Sequence, residues 1–97
     1  MKFRISVKAA EDIDKIWLYT NQQWSTNQAD EYYRLLYQEI ALITRNFYVG
    51  KDISEIKAGY RQALVRSHVI IYKRGDDGSV EIVRVLHQRM NISNLLK

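Results

Sequence analysis

The side chains best suited to chemistry are two histidines and three arginines: His68, His87, Arg61, Arg66 and Arg84. Metal-free cleavage of RNA needs a base for the 2′-hydroxyl, an acid for the leaving oxygen and cations for the pentavalent phosphate, and these five could supply all three. One sequence does not bring the histidines together, however, and a strand histidine serves more often as a structural hydrogen bonder than as a catalyst. No catalytic residue is therefore assigned. The two histidines also lack the close spacing of a helical or hairpin ligand pair, so neither a metal nor another cofactor is expected. Gly75 and Gly78 sit between two strands, not between a strand and a helix N-terminus, so no phosphate cradle is expected either.

A second group of residues suits recognition. Trp17, Tyr19, Trp24, Tyr32, Tyr33, Tyr37 and Tyr48 crowd the first half of the chain beyond what one helix face can bury. Tyr and Trp combine an apolar body with a polar tip and suit protein interfaces. Packing against a sheet is the expected fate of Trp17, Tyr33 and Leu36, and exposure that of Tyr19 and Tyr37.

These residues must be positioned by regular elements, and the hydrophobic period names them. Lys2 to Ser6 alternate as a short half-buried strand, and Ser6 can cap a helix. Ile13, Ile16, Trp17, Thr20 and Trp24 recur at three and four residues, a helix from Ala9 to Trp24 with Glu11, Asp12 and Asp14 placed to favour its positive end. Ser25 and Gln28 form a capping box for a second helix, in which Ala29, Tyr32, Tyr33, Leu36, Ile40, Ile43 and Phe47 hold the period to about Asn46. Gly50 marks the exit. The period then changes: Tyr60 to Arg66, His68 to Arg74 and Val80 to His87 read as three strands, joined at Arg66-Ser67-His68 and at Gly75-Asp76-Asp77-Gly78 by tight turns. The tail from Gln88 to Lys97 is open between extended, helical and mobile states. The expected architecture is a single α+β domain over residues 1–97, order β-α-α-β-β-β, with a helical hairpin on one face of a mostly antiparallel sheet around one core.

Composition sets the class. The 97 residues are nearly half apolar and about a quarter charged, as in a compact soluble domain, and contain no cysteine, which excludes disulfides and thiolate chemistry and points to a reducing cytoplasm. No apolar run resembles a signal peptide or spans a bilayer. Residues 1–56 hold 7 basic and 8 acidic side chains, and residues 57–97 hold 8 and 3. After Glu81 only Arg84, Arg89 and Lys97 are charged, so this end should attract an acidic partner or polyanion.

Taken together these residues resemble a known family. Asp12-Ile13-x-x-Ile16-Trp17-x-Tyr19 and Gln28-Ala29-x-x-Tyr32 are similar to the helical half of ParE toxins. Gly59-Tyr60-Arg61, Ser67-His68-Val69-Ile70-Ile71-Tyr72 and Arg84-Val85-Leu86-His87-Gln88-Arg89-Met90 are similar to the strand half. The resemblance implies the RelE/ParE fold, a ParD-type antitoxin as partner and DNA gyrase as target, with DNA reached only indirectly. On that reading Arg61, Arg66, Arg84, His87 and Arg89 face the target, and Trp17, Tyr19, Trp24, Tyr33 and Tyr37 face the antitoxin. The alternative on the same fold is a RelE-like ribosome-dependent mRNA endonuclease. Two departures stand out: Asn46-Phe47 replaces the family's common Asn-Pro, which should let the second helix run on, and the tail Asn91 to Lys97 follows no shared pattern.

Overall fold

The computed structural model describes residues 2–96. Lys97, counted above in the basic C-terminal stretch, lies outside them. Strand β1 (Phe3–Ile5) leads into helices α1 (Val7–Gln23) and α2 (Thr26–Arg45). A 3₁₀ turn (Phe47–Val49) follows, then strands β2 (Lys51–Asp52), β3 (Arg61–Val65), β4 (His68–Arg74) and β5 (Val80–His87) and a final helix α3 (Ile92–Leu96). The sheet order is β1-β5-β4-β3-β2, with β1 parallel to β5 and every other pair antiparallel. The α+β architecture and the four expected strands are present; the two-residue β2 was not foreseen, and the tail, open in the sequence, forms the short helix α3. Among the described residues no helix is long and apolar enough to cross a membrane.

Each of the two long helices starts where a serine can accept from an orphan amide. Ser6 Oγ accepts from the Ala9 N–H at 3.0 Å, and Ser25 Oγ from the Gln28 N–H at 3.1 Å. α2 ends at Arg45 and does not run on into Phe47: Asn46 leaves the helix in an extended conformation, and its side-chain carbonyl accepts from the Tyr48 N–H, which starts the 3₁₀ turn. Asparagine thus stops this helix by a local hydrogen bond, without the proline.

The sheet is covered on both sides, so the single core expected from chain length is in fact two. Ala63, Val65, Ile70, Tyr72, Val80, Ile82 and Val85 pack against Ala9, Ile13, Leu36, Ile40 and Ile43 of the helical hairpin. Val69, Ile71 and Leu86, on the opposite face, are sealed by Ile53, Ile56 and Tyr60 from the β2–β3 connection and by Ile92 and Leu96 of the tail. The tail is therefore a lid on apolar surface. Lys57 Nζ fastens it by donating to the Leu96 carbonyl at 2.8 Å.

A register shift opposite Ile71 and Tyr72 leaves Val83 as the extra residue of β5. It lies where β1 ends, and side chains of the helical half take over as partners for the strand edge. Ser6 Oγ donates to the Val83 carbonyl at 2.8 Å, and the Val85 N–H donates to Asp12 Oδ2 at 3.0 Å. Asp12 is beyond the first turn of α1, so its expected service to the helix dipole gives way to this one.

Candidate functional site

Three of the five chemistry-bearing side chains, Arg66, His68 and His87, gather where the α1–α2 connection meets the β3–β4 turn. There Tyr19, Trp24, Gln28, Glu31, Tyr32, Arg66, His68 and His87 line a cleft of ≈ 460 Å³. The β4–β5 ladder makes His68 and His87 cross-strand partners. Their rings meet edge-on with centroids 5.2 Å apart, and Tyr32 sits edge-on to His68 at 5.4 Å. The sequence left the two histidines apart, although the strands it predicted already carried the signal: a hairpin turning at 75–78 must bring their far ends together.

Hydrogen-bond logic fixes both tautomers. Tyr32 Oη has two partners, the Val65 carbonyl at 3.0 Å and His68 Nδ1. The carbonyl can only accept, so the phenol proton goes there and His68 Nδ1–H donates to Tyr32 Oη, leaving Nε2 of His68 as a lone-pair acceptor. His87 Nδ1 accepts from the Arg89 N–H at 3.1 Å, so its proton is on Nε2. Burial, and then the neighbouring His87, push His68 down to about 4. Burial also raises the Tyr32 phenol above its ordinary value. His68 is thus neutral at physiological pH and a weak proton acceptor, far from the near-neutral value that suits a general base.

The five expected target-facing residues are dispersed. Arg66 and His87 reach the cleft, and Arg89 adjoins it through its backbone bond to His87. Arg66 occupies the turn with φ of 52°, a left-handed conformation that non-glycine residues rarely take. Arg61 and Arg84 are engaged elsewhere. Arg61 donates to the Gly50 carbonyl at 2.7 and 3.1 Å and to the Tyr48 carbonyl at 3.3 Å, and lies 5.3 Å from the Tyr48 ring centroid. It clamps the connection from α2 to β2, where a Cβ at Gly50 would collide with the Tyr72 hydroxyl and the Gln62 carbonyl. Arg84 forks onto Asp12, Nε to Oδ2 at 2.8 Å and Nη2 to Oδ1 at 3.1 Å, with the two side chains only 20% and 13% exposed. Both guanidinium groups hold the frame together, which net charge alone did not distinguish from a free basic surface.

The five aromatic residues expected to face the antitoxin fall into two places. Tyr19 and Trp24 stand at the rim of the end cleft. Trp24 is 71% exposed, because it follows the last residue of α1 and is not on the helix's sticky face as the period suggested. Trp17 and Tyr33 lie in a groove of ≈ 500 Å³ between α1 and α2, with Asp14, Leu18 and Asp30. Trp17 Nε1 donates to Asp30 Oδ1 at 2.9 Å and ties the helices together. Tyr33 and Tyr37 exchange their expected environments: Tyr33 is 43% exposed, whereas Tyr37 packs against the core. One helical turn separates them, and the first ring covers the second at a centroid distance of 4.8 Å. Burial, and then the Tyr33 hydroxyl, push Tyr37 up to about 12. Among the described residues no group of three or more potential metal ligands occurs.

Residues 3–92 match the family described as ParE toxin of type II toxin-antitoxin system, parDE. The chain is 42% identical over 89 residues to Toxin ParE1 of Caulobacter vibrioides, covering 92% of this chain and 91% of that protein. It is 34% identical over 95 residues to Toxin ParE1 of Mycobacterium tuberculosis, covering 98% and 97%. Its fold superimposes with a TM-score of 0.78 on a chain of the chromosomal ParDE TA system from P. aeruginosa, at 15% identity over 90% of this chain and 95% of the other.

Proposed function

The chain belongs to the ParE toxin family of type II toxin–antitoxin systems, and on that premise we propose that it acts by binding, not by catalysis. Free, it engages DNA gyrase and halts replication in the cytoplasm; bound by a ParD-type antitoxin, it is inert. DNA is touched only through these partners, and no cofactor is invoked. The observation that carries the non-catalytic reading is the place of His68 in the end cleft, where its Nδ1–H is spent on Tyr32 and burial lowers its affinity for a proton.

On this reading Arg66, His87 and Arg89 form the target-facing surface, because they share one end of the sheet and keep their side chains near solvent. Arg61 and Arg84 support that surface from within the frame. Trp17, Tyr33 and Tyr37 on the hairpin, and Tyr19 and Trp24 at the cleft rim, are assigned to the antitoxin. The test is purified protein with gyrase: loss of supercoiling and trapped cleaved DNA, both reversed by the antitoxin, are expected. Unimpaired supercoiling at a large molar excess of toxin would sink the proposal.

The convergence of Tyr32, His68, His87 and Arg66 favours one second reading, an mRNA endonuclease acting in the ribosome. Cleaved message in cells whose gyrase stays active, lost on His87→Gln, would establish it.

A further inference from the structure

The groove between α1 and α2 differs in charge from the rest of this basic chain. Its lining residues are Asp14, Trp17, Leu18, Asp30 and Tyr33, and among these described residues none is a cation. Asp30 spends Oδ1 on the Trp17 indole. The nearby Arg34 is bound to Glu31 at 2.6 Å, within its own helix. Two carboxylates thus border an aromatic and aliphatic floor on which Leu18 is 52% exposed. Carboxylates beside aromatic rings attract a cation by charge, and the ring quadrupoles add to that attraction. An exposed leucine beside them adds apolar area that a bare ion would leave uncovered.

We propose that this groove takes an arginine or lysine borne beside an apolar residue on a helical segment of the antitoxin. The inference rests on the antitoxin-binding reading and specifies its chemistry at one of the two aromatic sites. A trough between two antiparallel helices fits the ridge of a third helix, whose side chains at i and i+4 reach the same side. A cation against the acidic groove of a +4 chain also fixes the register of an otherwise apolar contact, since a shifted helix would cover two carboxylate charges with no cation beside them.

The probe is a synthetic alanine-based helical peptide carrying Leu and Arg at i and i+4, compared with the same peptide carrying Glu for Arg. The chain has two tryptophans, so the indole N–H signals of Trp17 and Trp24 in a proton–nitrogen correlation spectrum report the groove and the end cleft separately. The Arg peptide should move the Trp17 signal and leave that of Trp24 in place. Asp14→Asn with Asp30→Asn, which keeps an oxygen for the Trp17 indole, should weaken that binding about tenfold. Equal binding of the Glu peptide, an unchanged affinity for the double variant, or movement of Trp24 alone would overturn the proposal. With the whole antitoxin, weaker neutralisation of the double variant than of wild type supports it. Equal neutralisation of both refutes the cation groove while leaving the antitoxin reading intact, and failure to bind wild type removes that reading itself.

Discussion

Arg84 and Asp12 make a two-point ion pair across 72 residues of chain, and the same carboxylate closes the edge of β5 by accepting from the Val85 N–H. Removing one member of a largely buried pair strands the other. Arg84→Ala should therefore cost about 3 kcal/mol and lower Tm by on the order of 10 °C in a chain of this size. Gyrase inhibition and antitoxin binding should decline together as the folded fraction falls. A thermal melt that matches wild type, with only target inhibition lost, would return Arg84 to the binding surface.

Arg66 offers the opposite pattern. Its left-handed φ costs roughly 1 kcal/mol relative to glycine, so Arg66→Gly should raise Tm by a few degrees. The same change removes a cation from the proposed target face and should weaken gyrase inhibition several-fold. Retained potency in the stabilised variant would take Arg66 out of the target surface.

His68 gives stability a pH dependence of defined sign. Its folded pKa of about 4 lies below the ordinary 6.5, so between these values the unfolded chain binds the extra proton. Its contribution is complete above pH 6.5 and is lost progressively as pH falls toward 4. His68→Asn keeps a hydrogen-bonding group near the Nδ1 position and no titrating ring. Tm measured at pH 7.5 and 5 should fall further for wild type than for this variant, and parallel falls would exclude His68 as the cause.

The tail makes a fourth prediction. Leu96 is buried against the sheet face that carries Val69, Ile71 and Leu86. Leu96→Ala should cost about 2–3 kcal/mol in urea unfolding, and Leu96→Asp should expose the face to a hydrophobic dye. An unchanged urea midpoint for Leu96→Ala would show that α3 does not seal that face.

Much of this architecture was legible because its determinants are local. Ser6, Ser25 and the period of Ile13, Ile16, Leu36, Ile40 and Ile43 marked both long helices, and the Gly75–Gly78 turn marked the hairpin. The family motifs pointed the same way. What stayed hidden depends on contacts between distant segments. No period announces that Asp12 closes a strand edge, that Arg61 is absorbed by the carbonyls of Tyr48 and Gly50, or that Ile92 and Leu96 of the tail cover a second apolar face. The site was half readable for the same reason. Residue types named its members, but the register that joins His68 to His87, and the stacking that inverts the exposure of Tyr33 and Tyr37, arise only after assembly.

The pairing of β1 with β5, and the bond from Ser6 to Val83 77 residues away, bear on when the molecule acquires its shape. Contacts between such distant segments carry the largest loop-closure entropy, so they form late and slow the search. On the ribosome, the first strand and helix must wait until β5 emerges before their edge has a partner. The histidine pair and the β5 end of the cleft arise with that same strand. A chain still being translated thus lacks both the β1–β5 seam and the assembled cleft, which arise together once β5 has left the ribosome.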